Sequence, residues 1–175
     1  MANKKIRLPL HTMYEGDLYR YANMLHIPDF RGVKMRDQLP KTTRVNESGI
    51  LNLNTPLQNG SHWTCWIKKA DVCYNFDSFG ETPPTELIRY LKTPAQYAQD
   101  SPIIHRSAVI VQRDESHECG ALCLYVLHKL GDGVEFSTGL SELLHRYQTN
   151  PPCPLILSVS WRLMALGRYV CLREG

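Results

Sequence analysis

Little in this sequence is extreme, and each shortage removes a class of protein. The first residues, Met1-Ala2-Asn3-Lys4-Lys5, hold none of the apolar stretch that a secretory signal needs, so a protein of the cell interior is expected. Charge of one sign is scarce too: 20 basic against 17 acidic residues leave a net charge of +3, too mild to argue for nucleic acid or an acidic partner. The six cysteines (65, 73, 119, 123, 153 and 171) are read as thiols, because an intracellular setting does not favour a disulfide framework. Paired metal-ligand spacing is missing. His62-x-x-Cys65 and His117-x-Cys119-x-x-x-Cys123 contain ligand types, but neither has the spacing of a structural zinc site, so no metal and no other cofactor is expected. There are no internal repeats. Outside residues 155–172 no stretch approaches a membrane span, and there Arg162 and Arg168 interrupt the run, so no integral membrane segment is expected.

What is there suffices for one ordinary core: 43% apolar composition over 175 residues is a single domain's worth. Leu18, Tyr21, Ala22 and Leu25 repeat at helical spacing, with Asp17 as N-cap and Pro28 as stop. Phe30 to Pro40 reads as loop, and Gly49 to Asn54 as a short strand. Pro56 to Ser61 is turn chemistry. Residues 62–68 and 71–77 read as a hairpin turning at Lys69-Ala70, which sets His62 directly opposite Asp77. Pro83 to Leu91 is a helix opened by proline. Thr93 to Pro102 is loop, and Ile103 to Val111 is a β-rich run ending at Gln112. Cys119 to Leu130 is apolar on nearly every side, so a buried central helix ending at Gly131 is expected. A last helix, capped by Ser137 or Thr138, runs to about Tyr147 with Leu140, Leu143 and Leu144 inward.

Four separated residues carry the chemistry. His62 opens one strand-like run and Asp77 closes the next. Gln112 ends a third, and Cys119 opens the buried helix. A thiol, an imidazole to deprotonate it, a carboxylate to orient the imidazole and an amide to hold an oxyanion make up a cysteine hydrolase. Cys119 is read as the nucleophile, activated by the positive end of its helix and by His62. His62 serves as general base and then acid, Asp77 as its orienting partner. Gln112 is the oxyanion donor, together with the Cys119 backbone N–H. Trp63 is read as a wall of the cleft, and Gly120 as letting a substrate backbone approach closely. Singly, each has a plainer reading: a cysteine on a buried helix is usually packing, and a histidine at a strand start usually lies on the surface. His117, two residues from Cys119, is a poorer base because the backbone would have to fold back sharply. Cys65, Cys73 and Cys123 are read as packing, with Cys65 and Cys73 close together in the hairpin and Cys123 open to a redox partnership with Cys119. His105 and His128 are read as ordinary positions.

Gly60-Ser61-His62-Trp63, Tyr74-Asn75-Phe76-Asp77-Ser78-Phe79-Gly80 and Gln112 through Cys119-Gly120 resemble the His-Trp, Phe-Asp-Ser-Phe-Gly and Gln…Cys-Gly blocks of adenain-like cysteine proteases. These are the adenovirus-type maturation proteases, relatives of the SUMO-deconjugating enzymes. Cys119 follows Gln112 by seven positions, the adenovirus-type spacing, whereas the SUMO-deconjugating branch usually has one fewer. Ile27 to Pro40, with Gly49-Ile50-Leu51-Asn52-Leu53, is similar to the proteases of Polinton/Maverick and adintovirus-like elements. The resemblance covers roughly residues 14 to 147.

It implies an α+β, papain-like cysteine protease fold in the adenain/SUMO-protease chain order, with a central mixed sheet and a buried nucleophile helix. It implies a cysteine endopeptidase that cleaves viral structural precursor polypeptides at small, glycine-containing sites during virion maturation, in the virion and host-cell interior, the nucleus included. In adenoviruses the enzyme is stimulated by a short capsid-derived peptide and by DNA. The +3 charge offers DNA no basic stripe, and no cysteine matches a peptide-linking one. Two alternatives stay open: a ubiquitin-like or SUMO-type deconjugating protease, and an inactive protease-fold binding module. Residues 1–150 are read as the protease domain. Residues 151–175, beyond a Pro-Pro-Cys-Pro break, form a C-terminal appendage read as amphipathic or poorly ordered.

Overall fold

A computed structural model describes residues 4–55, 57, 62–92, 104–149 and 155–159. The turn read at Pro56 to Ser61 falls largely outside them. So do the loop read at Thr93 to Pro102, Gly60 and Ser61 of the first sequence block, Cys153, Cys171, and the tail from residue 160 with Arg162 and Arg168. Among the described residues, seven strands and four helices follow in the order β1 (Lys4–Arg7), α1 (Glu15–Met24), β2 (Phe30–Met35), β3 (Asn46–Asn52), β4 (Trp63–Lys69), β5 (Val72–Phe76), α2 (Thr85–Leu91), β6 (Ile104–Arg106), α3 (Cys119–Gly131), α4 (Phe136–Thr149) and β7 (Ile156–Val159). The class is the expected one: α+β, with a central mixed sheet and a buried helix led by Cys119.

The sheet has the strand order β2-β3-β4-β5-β6. Its inner pairs β3–β4 and β4–β5 are antiparallel, and its outer pairs β2–β3 and β5–β6 are parallel. Both faces are covered, so side chains pointing to either side of the inner strands are buried. Ile50, Cys65, Ile67 and Phe76 face the main core, shared with α1, α3 and α4. Leu51, Trp66 and Cys73 face the other way, onto Leu87 and Leu91 of α2. Cys65 and Cys73 are buried packing residues, but they lie on opposite sides of the sheet rather than side by side.

Three expectations need correction. Phe30–Met35 is a strand, not a loop: its partner β3 supplies a parallel ladder that no local pattern reveals. The hairpin turns at Ala70-Asp71, with Lys69 opposite Val72 and Cys65 opposite Phe76. Ala70 takes the left-handed conformation there, with φ +50°, and Asn46 Oδ1 accepts its N–H at 3.1 Å. The pairing is therefore shifted by two residues from the expected one, which leaves every side chain on its predicted face. Asp17 acts from inside the first turn of α1 rather than as N-cap, accepting the Tyr14 N–H at 3.2 Å.

Helix α3 is the centre of the molecule. Every residue from Cys119 to Leu130 except Lys129 is buried. It packs on β4, α1 and α4. Its C-terminal carbonyl at Leu130 accepts a hydrogen bond from Lys69 Nζ at 2.9 Å, a cation placed where the helix dipole is negative. Leu143 of α4 is fully buried, with Leu140 and Leu144 packed around it. Within the C-terminal stretch, Leu155, Leu157 and Val159 are buried, and β7 pairs antiparallel with β1. His128 of α3 is buried and contacts the Ser158 carbonyl at 3.3 Å. No helix among the described residues is long and apolar enough to cross a membrane.

One buried carboxylate ties the far side together. Glu47, 1% exposed, accepts from Trp66 Nε1 (3.0 Å), the Tyr90 hydroxyl (2.6 Å), Arg31 (3.2 Å) and the Arg44 N–H (2.8 Å). Four donors compensate a charge that would otherwise be expensive to bury. Gly49, two residues on and paired with Trp66 across the strands, lies beneath the indole: a Cβ there would sit 2.2 Å from Trp66. Gly49→Ala should therefore destabilise the protein by roughly 1–3 kcal/mol through overpacking, measured by urea unfolding. An unchanged midpoint would mean the ring has room to move.

Candidate active site

The four sequence-predicted residues arrive from four different places. His62 sits immediately before β4, and Asp77 immediately after β5. Gln112 lies in the loop between β6 and α3, and Cys119 is the first residue of α3. The structure brings them together. His62, Gln112 and Cys119 line one cleft of about 570 Å³, with Trp63, Phe79 and Met35 among its walls.

His62 Nε2 lies 2.8 Å from Asp77 Oδ2. Because of the shifted register the two are diagonal rather than facing neighbours, at a backbone separation that long side chains can span. The near nitrogen, Nδ1, takes no part in that bond, and Cys119 lines the same cleft as the ring. Phe79 lies against the ring with centroids 4.9 Å apart and planes at 36°.

Asp77 is 2% exposed and well supplied with donors. Its Oδ1 accepts the Phe79 N–H at 2.8 Å and the Glu81 N–H at 3.4 Å. Ser107 brackets its backbone, accepting the Asp77 N–H and donating to the Asp77 carbonyl, each at 2.9 Å. The turn closes with Gly80 N–H on the Asp77 carbonyl at 3.1 Å. Gly80 has φ +73°, and a Cβ there would press on the backbone of Ala108 and Val109. Glycine is required at this turn both for its dihedral angle and for close approach.

Burial by itself would lower the pKa of His62. The hydrogen bonds to Asp77 and Cys119, and the charges of both, override it and raise the value from 6.5 to about 9. As an imidazolium, His62 carries hydrogen on both nitrogens, so it can donate to Asp77 and still hold a proton on its other side.

Gln112 is delivered differently from expected. The β-rich run ends as a strand at Arg106, and the chain then leaves the sheet. Residues 111 and 112 are instead anchored to the Asp77 turn: both backbone N–H groups donate to the Ser78 carbonyl, at 2.8 and 2.9 Å. The Gln112 side chain accepts from the Ser78 hydroxyl at 2.7 Å and donates through Nε2 to the Ser116 carbonyl at 2.6 Å.

Trp63 lines the cleft, and its indole N–H donates to the Met13 carbonyl at 2.9 Å. That bond holds the segment before α1 against the cleft. Gly120 needs correction. Its missing side chain faces Leu18 and Met13, which a Cβ would meet at 3.0 and 3.2 Å, so it permits α3 to pack closely on α1 rather than admitting a substrate. His117 lines the cleft mouth and is exposed, whereas His62 holds the bond to Asp77. Cys123, one turn below Cys119, is fully buried, donating to the Trp63 carbonyl at 3.5 Å. Desolvation pushes its thiol up, with Cys65 adding to the effect. Cys65, Cys73, Cys119 and Cys123 are all free. Among the described residues no group of three or more His, Cys, Asp or Glu side chains is placed to hold a metal ion. Sequence reasoning missed Ser78, Phe79 and Ser107 as parts of the site. The first two stood inside the Phe-Asp-Ser-Phe-Gly block, and nothing local marks Ser107.

No family model matches the chain, and no curated protein does. Among solved structures it is similar to the ASFV pS273R protease. One crystal structure of that protein gives 18% identity over 79% of this chain and 65% of that one, TM-score 0.48. Its selenomethionine form gives 20% identity over 62% and 44%, TM-score 0.43. The SUMO protease Ulp1, with its catalytic cysteine oxidised to a sulfinic acid, is 11% identical over 78% of this chain and 74% of that one, TM-score 0.47. The chain thus spans less than two thirds of the ASFV protease's length. Likenesses this distant leave the functional reading to the site's own geometry.

The raised pKa has a definite sign. Between 6.5 and about 9 the native state holds the His62 proton more tightly than the unfolded chain does. The resulting stabilisation is complete below 6.5 and is lost as pH rises through about 9. Asp77→Asn removes the strongest raising influence, so His62 should titrate markedly lower in that variant by NMR. An unchanged titration would show that Asp77 does not control the imidazole.

Proposed function

We propose that this protein is a cysteine endopeptidase with His62, Asp77, Gln112 and Cys119 as its catalytic residues. The observation that carries the reading is the 2.8 Å His62–Asp77 hydrogen bond, made beside a cleft that His62 and Cys119, the first residue of α3, both line. An imidazolium beside the sulfur and the N-terminus of a helix behind it both favour the thiolate, the form that attacks carbonyls.

In this reading the Cys119 sulfur bonds to the carbonyl carbon of the scissile peptide, and the carbonyl π electrons move onto oxygen. The oxyanion is received by the Cys119 backbone N–H, free at the first helical position, and by Gln112 Nε2. As the tetrahedral species collapses, the C–N bond breaks and the leaving amine takes the proton from His62 Nδ1. Water then attacks the thioester while His62 accepts a proton from it. The C–S bond breaks, the acid departs, and the thiolate–imidazolium pair is restored. Asp77 keeps the ring aligned throughout.

The aromatic side chains of Trp63 and Phe79 at the cleft favour a slender substrate backbone, which supports glycine-containing sites. Together with the sequence resemblance, this makes viral structural precursor polypeptides, processed in the virion or the host-cell interior, the proposed substrates.

Iodoacetamide at about pH 6, below the range where ordinary thiols ionise, should label Cys119 ahead of the other cysteines. His62→Ala should abolish that selectivity. On glycine-containing peptides His62→Ala should lower turnover roughly 10²- to 10⁴-fold, and Cys119→Ala should abolish it. Labelling indifferent to His62, with no peptide cleaved, would reverse the reading in favour of a protease-fold binding module.

A further inference from the structure

Asp77 and Ser78 are consecutive, and the structure gives their side chains separate partners: Asp77 holds His62, and Ser78 holds Gln112. Ser78 is completely buried, with its hydroxyl 2.7 Å from Gln112 Oε1. The direction of that bond follows from the other end of the amide. Nε2 lies 2.6 Å from the Ser116 carbonyl, which can only accept, so the nitrogen belongs there and the oxygen faces Ser78. A hydroxyl facing an amide oxygen donates. The Ser78 carbonyl also accepts the N–H groups of Val111 and Gln112 at 2.8 and 2.9 Å. Gln112 is held by Ser78 both through its side chain and through its backbone.

The amide nitrogen carries two hydrogens. Ser116 takes one, and the other remains on a side chain that lines the cleft. We infer that Ser78 is the positioning residue for the oxyanion donor, locking the Gln112 amide so that its N–H edge, not its oxygen, is available to developing negative charge. This rests on the protease reading above. The terminal torsion of glutamine is broad and roughly two-fold. The Ser116 carbonyl and the Ser78 hydroxyl both favour one of its two states; without the hydroxyl that preference is weakened, and the flipped state would aim an amide oxygen where an oxyanion forms. A stabilising dipole would become a repelling one.

The test is a double-mutant cycle on a glycine-containing peptide, with Cys119 alkylation and the Gln112 side-chain NH₂ signals in ¹⁵N NMR read alongside. Ser78→Ala should lower kcat roughly ten- to a hundred-fold, a part of the loss expected for the donor itself, with KM little changed. Alkylation of Cys119 should keep its wild-type rate, because the Cys119–His62 pair is untouched. In a Gln112→Ala background Ser78→Ala should cause no further loss. The Gln112 NH₂ pair, distinct in the wild type, should broaden or shift in Ser78→Ala. An equal loss of kcat in both backgrounds, or slowed alkylation, would overturn the inference and make Ser78 a purely structural residue. If Ser78→Ala does not fold, Ser78→Cys, of similar volume but a weak donor, enters the same cycle. A wild-type protein that cleaves no peptide would sink the protease reading, and the NH₂ signals would still decide whether Ser78 holds the amide.

Discussion

Helix α3 has almost no polar face, and the rest of the molecule is arranged to cover it. Leu122, Leu124 and Leu127 are fully or almost fully buried, each contributing about 1.5–3 kcal/mol by removal from water. The sheet supplies one side, α1 and α4 two more, and the β1–β7 pair closes another through His128. The consequence for chemistry is direct. A helix packed on all sides cannot shift, so the residue at its first position is fixed relative to β4. Cys119 is thereby fixed at the same cleft as His62, which precedes β4. Gly120 and Gly131 serve the same packing: side chains there would collide with Met13 and Leu18, and with Pro28.

Electrostatic organisation is concentrated in the turn that follows β5. Asp77 is buried, yet backbone N–H groups occupy one of its oxygens and the imidazole the other, so the charge is compensated and aimed at once. The next residue turns inward from the same bend and holds the loop that carries Gln112. One short turn, closed by a glycine at positive φ, thus holds both His62 and Gln112 at the cleft. Glu47 shows the same principle away from the cleft, where a buried carboxylate with four donors joins β2, β3, β4 and α2. Both carboxylates illustrate that burial of charge becomes structural information when each oxygen has a partner.

Much of this was legible in the sequence. The apolar continuity of residues 119–130 marked a central helix, and the alternation around residues 62–77 marked a hairpin. The four candidate residues were recognisable because their chemical types are complementary and each stood at the end of a predicted element. The hairpin register was misjudged by two residues, but period two preserves faces, so His62 and Asp77 still met. Phe30–Met35 was missed as a strand because a parallel edge strand is defined by its partner, here β3, and carries no turn signal of its own. Gly120 was misread because a glycine beside a nucleophile and a glycine beneath a neighbouring helix look alike in one dimension.

The sequence by itself determined the inventory: which groups can ionise, donate or attack, and which segments have to be buried. Local periodicity and side-chain chemistry are properties of neighbouring residues, so they survive in a string of letters. Only the tertiary structure decided which nitrogen of His62 faces Asp77, which edge of the Gln112 amide is held, and which cysteine opens to the cleft while its neighbour a turn below does not. Those choices depend on partners such as Ser78, Ser116 and Leu18, which lie from four to about a hundred positions away. Their distances become short only when the helix is packed and the strands are in register.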